Sequence, residues 1–355
     1  MTRSQTLLYL FAFLLGLVAL VAFLNKGILS FLPLVYGYAL IPLLELMLPP
    51  YTRNLNNLEE ELIKDDQVYD WLIYLTVPFH IGLLVLFLLE IGNPDLQGWE
   101  IAGLIGSMGI LCATYGINVG HELGHRTKKH ERFLAKVSLL TSLYMHFYIE
   151  HNRGHHKRVS TQEDPASARY GENLYQFWGR SVWNSYWSAW DLERERLNKK
   201  ALPFLSLHNE MLRFQLIQFG LLLLIGLGLG WMTMLYFILA GISGFLTLET
   251  VNYIEHYGLS RSQLPNGNYE RVQPYHSWNS NHILGRLMLF ELSRHSDHHY
   301  LASRKYQILR HHAEAPQMPT GYPGMMILSL VPPLWFRVMH KEIADLQIPA
   351  EIGRT

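Results

Sequence analysis

Cysteine is almost absent. The single Cys112 in a chain of 355 residues excludes a disulfide framework, a cysteine-ligated zinc site and a built-in iron–sulfur or rubredoxin-type centre. Charge is scarce too: Asp, Glu, Lys and Arg make up 16% of the chain, against about 25% in ordinary soluble domains. Basic and acidic residues number 29 each, so the formal net charge is zero, and the basic surplus of a general nucleic-acid binder is missing. No internal repeat, low-complexity tract or flexible linker divides the chain. What is plentiful is apolar side chains, at 49%, and histidine, with 18 copies.

The apolar residues collect in long runs, and run length decides the class. Residues 6–24 and 101–119 carry no charge, residues 27–48 carry only Glu45, and residues 71–89 hold only His80 as an ionisable group. Residues 214–230 and 231–254 form a last pair, with Glu249 near its end. A membrane span needs roughly 20 mostly apolar residues, so the pattern predicts an all-α integral membrane protein with six transmembrane helices. The first run is expected to be a span rather than a cleaved leader, because no small-residue cleavage site follows it and a second run starts almost at once.

Lys and Arg set the orientation. The loop at 91–98 and the turn at 228–230 carry no basic residue, whereas 120–211 holds 14 basic against 10 acidic residues. Both termini, the loop at 51–70 and a helical cap formed by 120–211 and 256–355 are therefore expected in the cytoplasm. Within the cap, 133–149 reads as an interfacial helix, and so does 325–336, interrupted by Pro332 and Pro333.

Nine histidines fall into a pattern. His121 and His125 end the fourth run; His151, His155 and His156 end the interfacial helix; His256 leaves the last run; His295, His298 and His299 lie in the tail. Residues three or four apart share a helix face, so His121/His125, His151/His155 and His295/His298/His299 each present imidazoles together. One such pair is commonly incidental. Three clusters on one side of one membrane point to a histidine-rich metal centre, and imidazole suits iron, copper, zinc and nickel. Nine ligands exceed the roughly six that an octahedral ion takes, so two ions are implied. Elsewhere His130, His208, His311, His312 and His340 read as surface residues, His146 as a neighbour of the ligands, and His80 as a neutral hydrogen-bonded imidazole. His276 and His282 are placed to orient ligands or cap the site.

The stretches HELGHR (121–126), EHNRGHH (150–156), NYIEHYGL (252–259) and LSRHSDHH (292–299) resemble the AlkB-type alkane 1-monooxygenases, integral-membrane non-haem diiron enzymes. DPASARYGE (164–172), HSWNSNH (276–282) and PTGYPGMM (319–326) match as well, so the resemblance runs from about the second span to Trp335. NYIEHYGL is its most specific element; the three histidine boxes alone are shared with membrane fatty-acid desaturases and xylene-type hydroxylases. Arg126 stands where the family usually has lysine, which keeps the charge.

The resemblance implies that His121, His125, His151, His155, His156, His256, His295, His298 and His299 bind two irons. It implies terminal hydroxylation of medium- and long-chain n-alkanes to 1-alkanols in a bacterial inner membrane, near its cytoplasmic face. One atom of O2 enters a methyl group and the other leaves as water, with two electrons and two protons consumed. The electrons would come from NAD(P)H through a reductase and a rubredoxin. That rubredoxin must be a separate protein, because its iron needs four thiolates and this chain has one.

Three further expectations follow. Glu122, Glu150, Glu255 and Asp297 would accept the free imidazole N–H groups and offset the charge of an all-imidazole centre. Tyr36 and Tyr38, flanking Gly37, are candidates for the far wall of an alkane tunnel, with ordinary packing as the plainer role. Lys128, Lys129, Arg132, Lys199 and Lys200 could dock an acidic electron donor or simply anchor the cap to the membrane. A rival reading takes HELGH as the HExxH of an intramembrane zinc protease with Glu122 as general base; it leaves seven clustered histidines unexplained. A metal-sensing or metal-carrying membrane protein is a third class, and it would consume neither O2 nor reductant.

Overall fold

The computed structural model describes residues 6–346. Among them the chain is helical, with two isolated β-bridges and no strand ladder. Six helices are long and apolar enough to cross a membrane: Thr6–Asn25, Gly27–Met47, Gln67–Ile91, Gly98–Gly124, Glu210–Leu229 and Trp231–His256. The fourth and sixth run past the ends of their apolar stretches, so that His121 and His256 sit on span ends. Both extensions are buried.

The fourth and sixth spans pack through small residues, as helices without a hydrophobic driving force between them must. A Cβ added at Gly244 would lie 2.6 Å from the Cβ of Cys112, and the backbone of Gly109 is 3.2 Å away. Any larger side chain there separates the two helices that carry His121, His125 and His256. Between Cys112 and Asn118 the fourth span winds as a π-helix. One extra residue per turn rotates everything beyond it by about 100°, which resets the face on which His121 emerges.

The cap differs from the expected layout in both of its expected interfacial helices. The predicted helix over 133–149 is two pieces, Lys129–Leu140 and Phe147–Glu150. Leu143 breaks it, in a left-handed conformation (φ 53°). Phe147–Glu150 continues into a π turn at His151–His155. A long helix, Leu174–Lys199, opens with a capping box between Asn173 and Gln176. The tail forms Tyr322–Ser329 and Pro332–Asp345, and Pro332 and Pro333 start the second helix, where a missing N–H costs nothing. Tyr253, Tyr257, Trp278, Tyr322 and Trp335 form an apolar cluster beneath the sixth span, and the Trp278 indole donates to the Tyr257 carbonyl at 2.9 Å.

Candidate metal centre

Four short segments bring the nine imidazoles together in two groups. His121, His125, His151, His156 and His298 form one; His155, His256, His295 and His299 form the other. Within each group one nitrogen per ring lies within 4.8 Å of all the others. In the first group the Nε2–Nε2 separations are 2.9 Å for His121–His298, 3.2 Å for His125–His151, 2.9 Å for His151–His156 and 3.1 Å for His156–His298. In the second they are 3.2 Å for His155–His299 and for His256–His295. A metal–imidazole bond of about 2.0–2.1 Å places ligands at right angles about 2.9 Å apart. The rings are therefore spaced as ligands around a shared centre. The groups abut, with the rings of His156 and His299 4.5 Å apart.

The π turn decides the grouping. On an α-helix His151 and His155 would share a face; here the wider turn pairs His151 with His156, five residues on, and sends His155 to the other group. In the tail, His295 and His299 keep the four-residue pairing, while His298 crosses to the first group. Gly154 lies inside this turn, and a Cβ there would collide with the Glu150 carboxylate and the Arg158 guanidinium, which pair at 2.7 Å. Gly154→Ala is expected to split that pair, to cost about 1–3 kcal/mol of stability and to lower metal retention. Thermal unfolding and metal analysis check both.

The electrostatics favour neutral rings. Burial, then the neighbouring imidazoles, hold His125, His151, His156, His295 and His299 well below the usual imidazole range. His298 is pushed down to about 3, chiefly by burial. Neutral imidazoles keep the lone pairs that metal binding needs. His155 differs: burial lowers it, but the surrounding carboxylates, Asp164 foremost with Glu150 and Glu249, together raise it. His155 Nδ1–H donates to Asp164 Oδ2 at 2.9 Å, leaving Nε2 for the metal. Asp164 is itself fixed by the Ser167 hydroxyl at 2.6 Å.

The fatty acid desaturase family model matches residues 97–329. The chain is 40% identical over 323 residues to an alkane 1-monooxygenase of Pseudomonas putida, covering 90% of this chain and 79% of that one. The chain belongs to the AlkB-type alkane 1-monooxygenases of this family. Alkane 1-monooxygenase 1 of Alcanivorax borkumensis is 40% identical over 326 residues, 89% of this chain and 80% of the relative. The xylene/toluene monooxygenase hydroxylase component XylM of Pseudomonas putida stands further off, at 30% over 276 residues, 76% of this chain and 72% of the relative.

In this chain the four expected acids do not accept the free imidazole N–H groups. Glu122 is tied to Arg126 at 2.6 Å, and Arg126 also holds Asp70 at 3.1 Å, all buried. Asp297 accepts from Arg304 at 2.7 Å, from the Arg310 amide and from His312. Glu150 accepts from Arg158 and Ser188. Glu255 comes closest, but on the ligand side: its Oε2 lies 3.2 Å from His295 Nε2. That puts a buried carboxylate at the edge of the four-histidine group. Asp164, which spacing did not single out, makes the contact that those four do not. Its one sequence signal was membership of the DPASARYGE stretch.

The zinc-protease reading fails on the same geometry. Glu122 is locked by Arg126 and the Tyr306 amide, so no free base stands beside His121 and His125. Of the remaining histidines, His130 and His208 are exposed, whereas His311, His312 and His340 are half-buried and hydrogen-bonded to Asn281, Asp297 and Tyr257. His276 and His282 are buried outside both groups. His276 aids the site indirectly: its carbonyl accepts from Ser160, and the next residue, Ser277, lies 3.5 Å from His256 Nδ1. His146 is buried beside Tyr144 and Tyr186. His80 Nε2 meets the Thr141 hydroxyl at 2.9 Å, and that hydroxyl donates to the Ser138 carbonyl. Tyr36 and Tyr38 pack between the transmembrane core and the cluster beneath the sixth span, and Gly37 faces Ile110.

Proposed function

We propose that the chain hydroxylates the terminal methyl of medium- and long-chain n-alkanes, using O2 and electrons delivered by a separate rubredoxin from an NAD(P)H-linked reductase. The balance is alkane plus O2, two electrons and two protons giving 1-alkanol and water. The observation that carries the reading is the pair of all-imidazole groups at the ends of two apolar spans. Nine imidazoles in two groups, with no thiolate, fit two iron ions. Bound there, iron supplies the O2 and electron chemistry that general acids and bases cannot apply to an unpolarised C–H bond.

The chain's own residues do the rest. Asp164 holds the His155 ring in one tautomer. The aromatic cluster around Tyr253, Tyr257, Trp278 and Trp335 keeps water from the sixth-span end of the site. Substrate selection rests on the spans. Each buried methylene contributes about 0.8 kcal/mol, so affinity separates neighbouring chain lengths poorly, and a tunnel of limited depth is the sharper device. Tyr38 lies 3.5 Å from the Thr247 hydroxyl, nine residues and so about 14 Å of helix rise from His256. Tyr38→Ala, or Tyr36→Ala, is expected to lengthen the accepted alkane. The check is the product profile across an n-alkane series, and unchanged profiles for both would remove these residues from the tunnel.

The cap is assigned to the cytoplasmic side of a bacterial inner membrane by its excess of Lys and Arg. Lys128, Lys129, Arg132, Lys199 and Lys200 are all exposed and can meet an acidic rubredoxin. A polar groove of about 350 Å³ reaches Asp164 between Arg158 and Arg180, and the Asp164–His155 bond gives electrons a short path inward. Product analysis tests the reading: purified protein with rubredoxin, reductase, NADH and O2 is expected to yield 1-alkanols. Oxidation of a xylene or a fatty acyl chain in preference to alkanes would move it to the related branch.

A further inference from the structure

Away from the imidazoles, the arm that carries His295, His298 and His299 stands on a buried charge cluster. Arg286, Glu291 and Arg294 are all buried. Glu291 Oε2 accepts from Arg286 Nε at 2.6 Å and Oε1 accepts from the Tyr9 hydroxyl at 2.9 Å. Arg294 lies 3.7 Å from the same carboxylate, beyond hydrogen-bond reach. Its terminal nitrogens donate to the carbonyls of Leu309 and Arg53 at 2.6 and 3.0 Å, while its buried Nε has no hydrogen-bond partner among the described residues. Two buried guanidinium groups thus share one carboxylate. Arg53, nearby, is met by Glu59 and does not change the tally. An uncompensated buried charge is strongly unfavourable.

Beside this cluster lies a cavity of about 90 Å³. Arg286, Arg294, Tyr51 and the Glu291 carboxylate form part of its polar wall, and Leu8, Leu55 and Leu287 part of its apolar wall. Leu8 and Tyr9 belong to the first turns of the first span, where a helix leaves the bilayer core and lipid headgroups lie. We propose that this cavity binds a phosphate group between Arg286 and Arg294, supplied either by the headgroup of an anionic phospholipid or by free inorganic phosphate. Guanidinium forks match phosphate oxygens in geometry and charge. The occupant would also brace the metal centre. Arg294 directly precedes His295, and Phe290 and Glu291 both hold left-handed backbone conformations (φ 50° and 62°) that need support from their surroundings.

The test uses the metal-loaded protein in nanodiscs. Phosphatidylcholine alone is compared with a phosphatidylcholine–phosphatidylglycerol mixture, and, in a further arm, with phosphatidylcholine plus inorganic phosphate against chloride at equal ionic strength. The unfolding midpoint is expected to rise by at least about 2 °C with the anionic ligand over phosphatidylcholine, whose phosphate is neutralised by its own choline, and native mass spectrometry is expected to find one anionic ligand retained. A rise with phosphatidylglycerol only assigns a lipid, and a rise with inorganic phosphate assigns the free ion; each supports the site. Arg294→Gln and Leu55→Trp, the second filling the cavity while leaving every charge in place, are expected to abolish the rise. No rise from either ligand, or the same rise in both variants, overturns the proposal. The wild-type comparison decides alone if a variant fails to fold.

Discussion

Replacing His256 by alanine is expected to empty the four-histidine group. His256 is contributed by the sixth span alone, and its Nε2 lies 3.2 Å from that of His295. Without it, His155, His295 and His299 remain, and a buried space opens where a ring stood. Disturbing a group that merely orients a ligand already costs about 10–100-fold in metal affinity or activity. Removing a ligand should therefore cost more than about 100-fold in hydroxylation rate. Iron content should fall from about two per chain to about one, because the five-histidine group shares no ligand with the other. The exposed His208 provides the control, and His208→Ala should retain both iron and rate. Full iron and full rate in His256→Ala would remove this ring from the centre.

The second large effect belongs to Asp164. Its carboxylate accepts the His155 Nδ1 proton at 2.9 Å with both residues buried. Asp164→Ala leaves that buried N–H without its acceptor, a penalty of about 1–3 kcal/mol, and frees the ring to turn. Iron affinity of the four-histidine group is expected to fall about 10–100-fold, measured by competition with a chelator. Asp164→Asn keeps an oxygen acceptor and loses the charge, so it should fall between wild type and alanine. Asp297→Asn is the comparison that separates this from a general charge effect. Asp297 bonds Arg304 and His312 rather than a ligand ring, so iron affinity should change little while stability drops. Equal iron affinity in Asp164→Ala and wild type would contradict the assigned role.

These two residues also mark how far the sequence could be read. Membrane spans were legible because run length alone reports them; all six expected runs lie within or overlap helices of the structure. The clustering of histidines was legible as well, since His121 with His125 and His295 with His299 follow α-helical spacing. The partition between groups was not. It turns on a π segment at His151–His155, and helical spacing rules assume 3.6 residues per turn. Adjacent residues could not be told apart either: His298 and His299 face different groups. Adjacency misled for the acids. Glu122 and Asp297 neighbour ligands in the chain, yet Arg126 and Arg304 claim them. Asp164 sits nine residues from His155 in a loop, and only a tertiary turn brings the two together.

Metal analysis of the purified chain, combined with X-ray absorption at the iron edge, bears most directly on the whole scheme. About two irons per chain with nitrogen and oxygen scatterers near 2.1 Å, and no sulfur, is the expected result. One zinc per chain with no iron, or iron bound through fewer imidazoles than a four- and a five-histidine group supply, would contradict it.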